Sequence, residues 1–321
     1  MRILEVDLPF DAWQGNRAGG PWRAGDPRGV RLAKLEADLA SAKVTLAAWR
    51  VPVTPLAAPG GREGGGGLLY ATRGSGGRRN WALWPSDFDD VTHHKEVAFA
   101  AARAAADAEK AASPEGPPRL MFESLMRNGG FSDHVREALE GAGGWRRTYH
   151  NPCQLWVAAD TDLILDPGVG SESLGEVTLG ALDPGDAGVV DEAWEHRGGD
   201  SVEYVRRQIR EAPSLCARDA RTGVPVAWAI THSDGAMGAM VVTAPWRRKG
   251  LGRAVARALA KQHLQAHGGI APFCYIQTHN VASQALFSSL GFKPVLDTTW
   301  DAYEQPSSPP ASEGGEAGSS T

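Results

Sequence analysis

Cysteine is scarce in this chain. Cys153, Cys216 and Cys274 are odd in number, widely spaced and lack a CxxC pair. That excludes a disulfide framework and a cysteine-built zinc site, and reads as reduced intracellular thiols. His93-His94 has no further histidine at helical spacing, so no metal is expected. Long apolar runs are missing as well: none approaches the ~18 residues of a membrane span, so no membrane partner is expected. Nor is there an excess of positive charge. With 33 Lys+Arg against 38 Asp+Glu the net charge is −5, which gives no general attraction to nucleic acid. Met1 to Asp7 has neither a long apolar core nor an Arg/Ser-rich, acid-poor character; it reads as a short strand rather than a targeting segment. The expected location is intracellular, cytoplasmic rather than mitochondrial.

What the chain does have is apolar residues, 42% of 321, enough for two cores of ordinary size (domains run roughly 100–200 residues). Composition divides it into an N-terminal α/β unit over 1–159, an Asp/Gly/Pro/Ser linker over 160–175 and a second α/β unit over 176–304. A Ser/Pro/Gly/Glu tail over 305–321 is expected to be disordered. In the first unit the pattern predicts a helix from Val30 to Trp49, a flexible Gly-rich insertion from Ala58 to Gly67, and strands at Leu68–Thr72 and Asn80–Pro85. An alanine-rich helix follows over Asp89–Ala112, then a strand at Leu120–Ser124, a helix at Phe131–Leu139 entered through Ser132 and Asp133, and a strand from Trp145 to Ala158. In the second, a strand and an acidic helix precede a helix capped by Ser201. Strands at Leu215–Arg218, Val224–Thr231 and Met237–Thr243 follow, then helix, strand, helix and strand, the order of a mixed α/β sheet.

One stretch carries chemistry. Met240-Val241-Val242-Thr243 has strand character, and the chain then breaks at Pro245 into Arg247-Arg248-Lys249-Gly250-Leu251-Gly252-Arg253-Ala254. Leu251, Val255, Ala258 and Leu259 continue at helical spacing. The first N–H groups of a helix have no intrahelical partner, and glycine lets an anion approach them. The stretch therefore reads as a pyrophosphate cradle. A P-loop would need Lys-Ser/Thr where Arg253-Ala254 stands, and a dinucleotide fingerprint needs a following acidic residue that the chain does not supply.

Arg247, Gly250 and Gly252 match the Arg/Gln-x-x-Gly-x-Gly/Ala turn of acyl-CoA N-acyltransferases. Downstream, Asn280, Ser283, Phe287, Gly291 and Phe292 fill the places of the second signature of the GNAT superfamily. The second half resembles the glycine N-acyltransferase branch in particular, through Trp194, Gly198-Gly199, Ser201, Tyr204, Pro213-Ser214-Leu215-Cys216 and Gly223-Val224-Pro225-Val226-Ala227-Trp228. The resemblance spans about 176–299. It implies a GNAT fold, a mixed central sheet flanked by helices, preceded by a degenerate GNAT-like α/β companion. It also implies transfer of an acyl group from acyl-CoA or acetyl-CoA to the amine of glycine or another small amino acid. The backbone of Val241, Val242 and Thr243 would pair with the pantetheine amides. Arg247, Arg248, Lys249, Gly250, Leu251, Gly252, Arg253 and Ala254 would hold the pyrophosphate, and Asn280, Ser283 and Phe287 would complete the cofactor site.

The chain departs from that pattern at the chemistry. Ala236 stands where the relatives carry a glutamate base, and Phe287, which cannot donate a proton, stands where a tyrosine acid often lies. His232, Asp234 and Ser288 are the substitute candidates. Two other readings stay open: an N-acetyltransferase acting on another amine or a protein N-terminus, and an acyl-CoA-binding protein without turnover.

Overall fold

The computed structural model describes residues 47–52, 66–73, 79–85, 94–112, 118–126, 130–165, 176–266 and 271–305. The strand read at Met1–Asp7, most of the helix read from Val30, and the tail lie outside these residues. Ala47–Pro52 forms strand β1, which corrects the end of that helix: Ala47–Trp49 pair with β2 (Gly66–Arg73) instead. The Gly-rich stretch likewise yields Gly66 and Gly67 to β2, where they pair with Pro52 and Val51. β3 (Arg79–Pro85), α1 (His94–Ala112), β4 (Arg119–Met126), α2 (Phe131–Gly143) and β5 (Arg146–Ala158) follow. α2 starts from Gly130 in the left-handed conformation rather than through Ser132 and Asp133. The Ser132 hydroxyl is committed elsewhere, donating to buried Asp301 at 2.7 Å.

After a short helix α3 (Asp162–Leu165) come β6 (Val177–Gly180), α4 (Ala187–Glu192), α5 (Ser201–Glu211), β7 (Leu215–Asp219), β8 (Pro225–Thr231) and β9 (Met237–Val242). α6 (Leu251–Ala266), β10 (Phe273–Gln277), α7 (Val281–Ser288) and β11 (Phe292–Glu304) complete the described chain. α5 begins one residue beyond its cap, Asp200, so Ser201 is its first helical residue. The Ser201 hydroxyl accepts from Gly198 N–H at 2.9 Å, closing the Gly198-Gly199 turn onto the helix.

The eleven strands of the described residues join one sheet, in the order β1-β2-β3-β4-β11-β5-β10-β9-β8-β7-β6. Read outward from its middle, the two arms repeat. β3 and β4 are parallel, as are β9 and β10, and the remaining pairs are antiparallel. The last strand of each half is exchanged: β11 pairs with β4 of the first half, and β5 pairs with β10 of the second.

Both faces of the second arm are covered. Side chains alternate along a strand, so Cys216, Trp228 and Ile230 pack under α4 and α5 with Val190, Tyr204, Val205 and Ile209. Leu215, Ala217, Ala227 and Ala229 face α6 through Leu251, Val255, Leu259 and Leu264. The buried stripe of α6 thus runs 251, 255, 259 as the spacing predicts, while Ala258 sits at its margin and Ala256 and Ala260 are fully buried. Each large apolar side chain buried this way stabilises by about 1.5–3 kcal/mol. The first arm packs α1 and α2 onto Trp81, Leu120, Phe122 and Tyr303.

Candidate active site

β9 and β10 start side by side, but their only paired residues are Met237 and Cys274. Beyond that point they diverge. β9 is bent where it slips register against β8 between Trp228 and Ile230, and Ala239 there has φ +46°. Thr243 N–H and its hydroxyl both donate to Val226 O, at 2.9 and 3.1 Å, so β9 is tied to β8. Its opposite edge, past Met237 and including Val241 and Val242, has no strand against it among the described residues. The wedge between the two strands opens into a cavity of about 730 Å³.

At the far end of β9 the chain makes its basic turn. Arg248 and Gly250 both have positive φ, +64° and +79°. The first bond of α6 runs from Ala254 N–H to Gly250 O at 3.0 Å, so the N–H groups of Leu251, Gly252 and Arg253 precede the helical ladder. A Cβ on Gly252 would lie 3.3 Å from Leu286 Cδ1 and 3.4 Å from Val242 Cγ2; glycine lets the helix start seat against β9 and α7. The basic side chains do structural work as well. Arg247 Nε donates to Val242 O at 3.1 Å, Arg253 donates to Ser289 Oγ and O at 3.2 and 3.3 Å, and Lys249 Nζ stands 4.6 Å from the Trp246 ring centre. Beside the turn, Asn280 Oδ1 accepts from Ser283 N–H at 3.0 Å and caps α7. Asn280 at the cap and Ser283 and Phe287 on α7 line the cavity.

The inner end of the cavity holds the titratable groups. His232 and Asp234 both line it. His232 Nδ1 lies 3.0 Å from the hydroxyl of buried Tyr204, with the rings stacked at 6.0 Å, and Trp194 lies against both. Burial lowers the His232 pKa below the usual histidine value; Asp234 opposes this and His196 adds to it. The Asp234 carboxylate accepts from Ala236 N–H at 3.0 Å, which holds the turn into β9. Ser288 is exposed and does not line the cavity, because α7 turns it away from the Phe287 face. Ala236 is buried against Phe273 and Val157 on the apolar side, so the sheet has filled with carbon the place where a base was expected.

Tyr149, Glu195, His196 and Arg197 line the cavity and escaped the sequence reading. Tyr149 on β5 brings its hydroxyl to 3.1 Å from His196 Nδ1, and His196 Nε2 lies 3.1 Å from Glu195 Oε1. Burial lowers His196, with Glu195 opposing, and burial foremost pushes Tyr149 up to about 12. The available signal was the alternation of β5, which sets Tyr149, Asn151 and Cys153 on one face; nothing local says that this face meets residues 194–196. Cys153 is held up to about 12, mainly by burial, and stays a thiol. Among the described residues no group of three or more His, Cys, Asp or Glu is arranged to hold a metal.

A family model of FR47-like proteins matches residues 214–301, the run from β7 to β11 that builds the wedge and the basic turn. No curated protein sequence matches the chain significantly. Among solved structures, an X-ray structure of a Drosophila protein superposes with a TM-score of 0.63 at 18% identity, covering 88% of this chain and 90% of that one. A tandem GNAT protein from the clavulanic acid biosynthesis pathway superposes at 0.52 and 17% identity, covering 92% and 93%. The fold is therefore a GNAT fold with a second GNAT-like unit before it.

Proposed function

We propose that this chain is an acyl-CoA-dependent N-acyltransferase that acylates the amine of glycine or another small amino acid. The observation that carries the reading is the single Met237–Cys274 pairing. It leaves one β9 edge open beside a cavity and directs that edge toward the unbonded N–H groups of α6. An extended pantetheine arm adds to such an edge as a strand would, along Val241 and Val242; Thr243, expected to share that role, has its N–H and carbonyl already bonded to Val226 O and Trp246 N–H. The pyrophosphate then meets the helix start at Gly250–Ala254, where the N–H groups and the dipole favour an anion. In this reading 176–304 is the acyl-transfer unit and 1–159 its companion.

The thioester carbonyl would lie in the wedge, next to His232 and Asp234. A neutral amine attacks there and must lose a proton as the thiolate leaves. Holding amine and thioester together lowers the barrier by several kcal/mol, up to about 7–11, before any proton transfer is counted. Arg197 lines the cavity and offers a cation to an acceptor carboxylate, which favours an amino acid over an uncharged amine. Among the described residues no helix is long and apolar enough to cross a membrane.

The test is free thiol release when acyl-CoA and glycine are mixed with the protein. Acetyl, benzoyl and longer donors are run against a panel of amino acids. No release with any pair rejects the reading. Release only with acetyl-CoA and other amines or protein N-termini supports a broader N-acetyltransferase. Donor binding by calorimetry without release supports a non-catalytic acyl-CoA-binding protein, a reading favoured by Ala236 and Phe287.

A further inference from the structure

We infer that Glu195, His196 and Tyr149 form a proton relay that takes the acceptor amine's proton, in place of the carboxylate missing at position 236. The inference rests on the acyl-transfer reading above. All three residues line the cavity. Glu195 Oε1, 3.1 Å from His196 Nε2, can only accept when ionised, so Nε2 carries the hydrogen. Nδ1 is left as a lone pair, and the phenol at 3.1 Å donates to it. Carboxylate, imidazole and hydroxyl thus stand in the order used to activate a nucleophile or accept a proton.

The other histidine is arranged the opposite way. The Tyr204 hydroxyl accepts from Ser233 N–H at 3.3 Å and has His232 Nδ1 as acceptor for its own hydrogen. His232 Nδ1 is engaged by the Tyr204 hydroxyl and Nε2 points at Gly238, so the ring is poorly placed to be the base. The relay also joins the two halves of the chain, with Tyr149 on β5 and Glu195-His196 on the loop between α4 and α5. The charged or titratable groups around His196 are Glu195 and Arg197 on its own loop, Tyr149 with Cys153 behind it on β5, and His232 and Asp234 on the β8–β9 turn. A lowered histidine is neutral at pH 7 and keeps a lone pair to accept with, and a phenol held near 12 passes its proton on rather than losing it.

The step balances. The amine nitrogen bonds to the thioester carbon and gives its proton to Tyr149 Oη, whose own proton moves to His196 Nδ1. The imidazolium is stabilised by Glu195. The C–S bond breaks with its electron pair on sulfur, and the thiolate takes a proton from solvent while His196 returns one. One amine proton has become the thiol proton.

The test uses the full chain with Tyr149→Phe and His196→Gln, acetyl-CoA and benzoyl-CoA as donors, and glycine as acceptor. Expected is unchanged donor affinity by calorimetry and a kcat about 100-fold lower in each variant, the low end for a lost acid–base group. The acid limb of the wild-type kcat profile, set by His196, should vanish in His196→Gln, a change that loss of a mere loop clasp would not produce. Turnover close to wild type in both variants, or an acid limb that survives in His196→Gln, overturns the relay. A wild-type protein that binds both donors but releases no thiol with any amine also overturns it and leaves donor binding standing. No donor binding at all removes the reading beneath it.

Discussion

A Cβ placed on Gly238 would stand 2.4 Å from Nε2 of His232. Nothing about the Gly238 backbone demands glycine; the imidazole does, because the Nε2–Cδ2 edge of its ring points at the bare α-carbon. Packing Tyr204 and Trp194 over the same ring fixes it from the other side. Gly238→Ala is therefore expected to push His232 off the Tyr204 hydroxyl and to cost about 1–3 kcal/mol, as overpacking does. Urea unfolding checks the cost, and the His232 ring resonances report the displacement. An unchanged midpoint with unchanged resonances would mean the ring has somewhere else to go.

Gly250→Glu addresses the cradle. The residue has φ +79° at the turn into α6, and a carboxylate there would compete for the N–H groups that the proposed function assigns to the pyrophosphate. Acyl-CoA affinity is expected to fall at least about tenfold, equivalent to roughly 1.4 kcal/mol. Calorimetry with acetyl-CoA measures it; unaltered affinity would place the diphosphate elsewhere.

Gly291→Ala tests how β11 is fed into the middle of the sheet. Its φ is +83°, and a Cβ would come within 2.6 Å of Asp160 O, the carbonyl just past β5. Gly291 O also accepts from Ala159 and Asp160 N–H at 2.9 and 3.2 Å. Left-handed strain and a backbone clash together predict a loss of about 2 kcal/mol or more, read as a lower urea midpoint with an unchanged m-value.

The Asp186–Arg218 pair fastens the segment before α4 to β7, with Nη1 at 3.1 Å from Oδ1 and a second contact between Nη2 and Oδ2. Burial raises the Asp186 pKa, but the Arg218 hydrogen bond, the Asp183 N–H and the Arg218 charge outweigh it, and the net shift is downward. A carboxylate depressed in the folded state stabilises above its unfolded value of about 3.8 and loses that contribution as pH falls through the folded value. Arg218→Met should therefore cost about 1–2 kcal/mol at pH 7, the range for hydrogen bonds to charged groups discounted for partial exposure. The difference from wild type should shrink below pH 3.8. A gap constant down to pH 2 would count against it.

His232 gives the opposite end of the pH range. Its folded pKa lies below the unfolded value of 6.5, so its contribution is complete above about pH 6.5 and declines as the pH falls toward the folded value. Unfolding free energy measured from pH 7.5 to 5.5 should drop in the wild type, and less steeply in His232→Gln. Equal slopes would assign the acid sensitivity to other groups.

Most of the second half was legible in the sequence because its signals are local. Alternation in Leu215–Thr231, the Gly250 turn, the Asn280 cap and the left-handed Gly291 each act within a few residues, and the elements formed near the expected positions. The first half was legible from Leu68 to Ala158, where the Ala-rich run and the short strands of Leu, Met and aromatic residues stand apart. It misled at Ala47–Trp49, where a helical stripe yields to pairing with β2. Helix propensity is worth only tenths of a kcal/mol per residue, less than a sheet partner offers.

Residue types and turns, then, fixed the strands, the wedge-and-cradle segment and the absence of a carboxylate at 236. The order of the sheet was decided only by tertiary structure. Whether β5 would sit beside β10 and β11 beside β4 depends on which exchanged pairing buries both arms at once, a contest between segments far apart in sequence. That exchange brings Tyr149 to His196, two residues 47 positions apart with no shared motif. The polar end of the cavity is a product of long-range packing, while the glycine-bearing turn into α6 is a product of local backbone geometry.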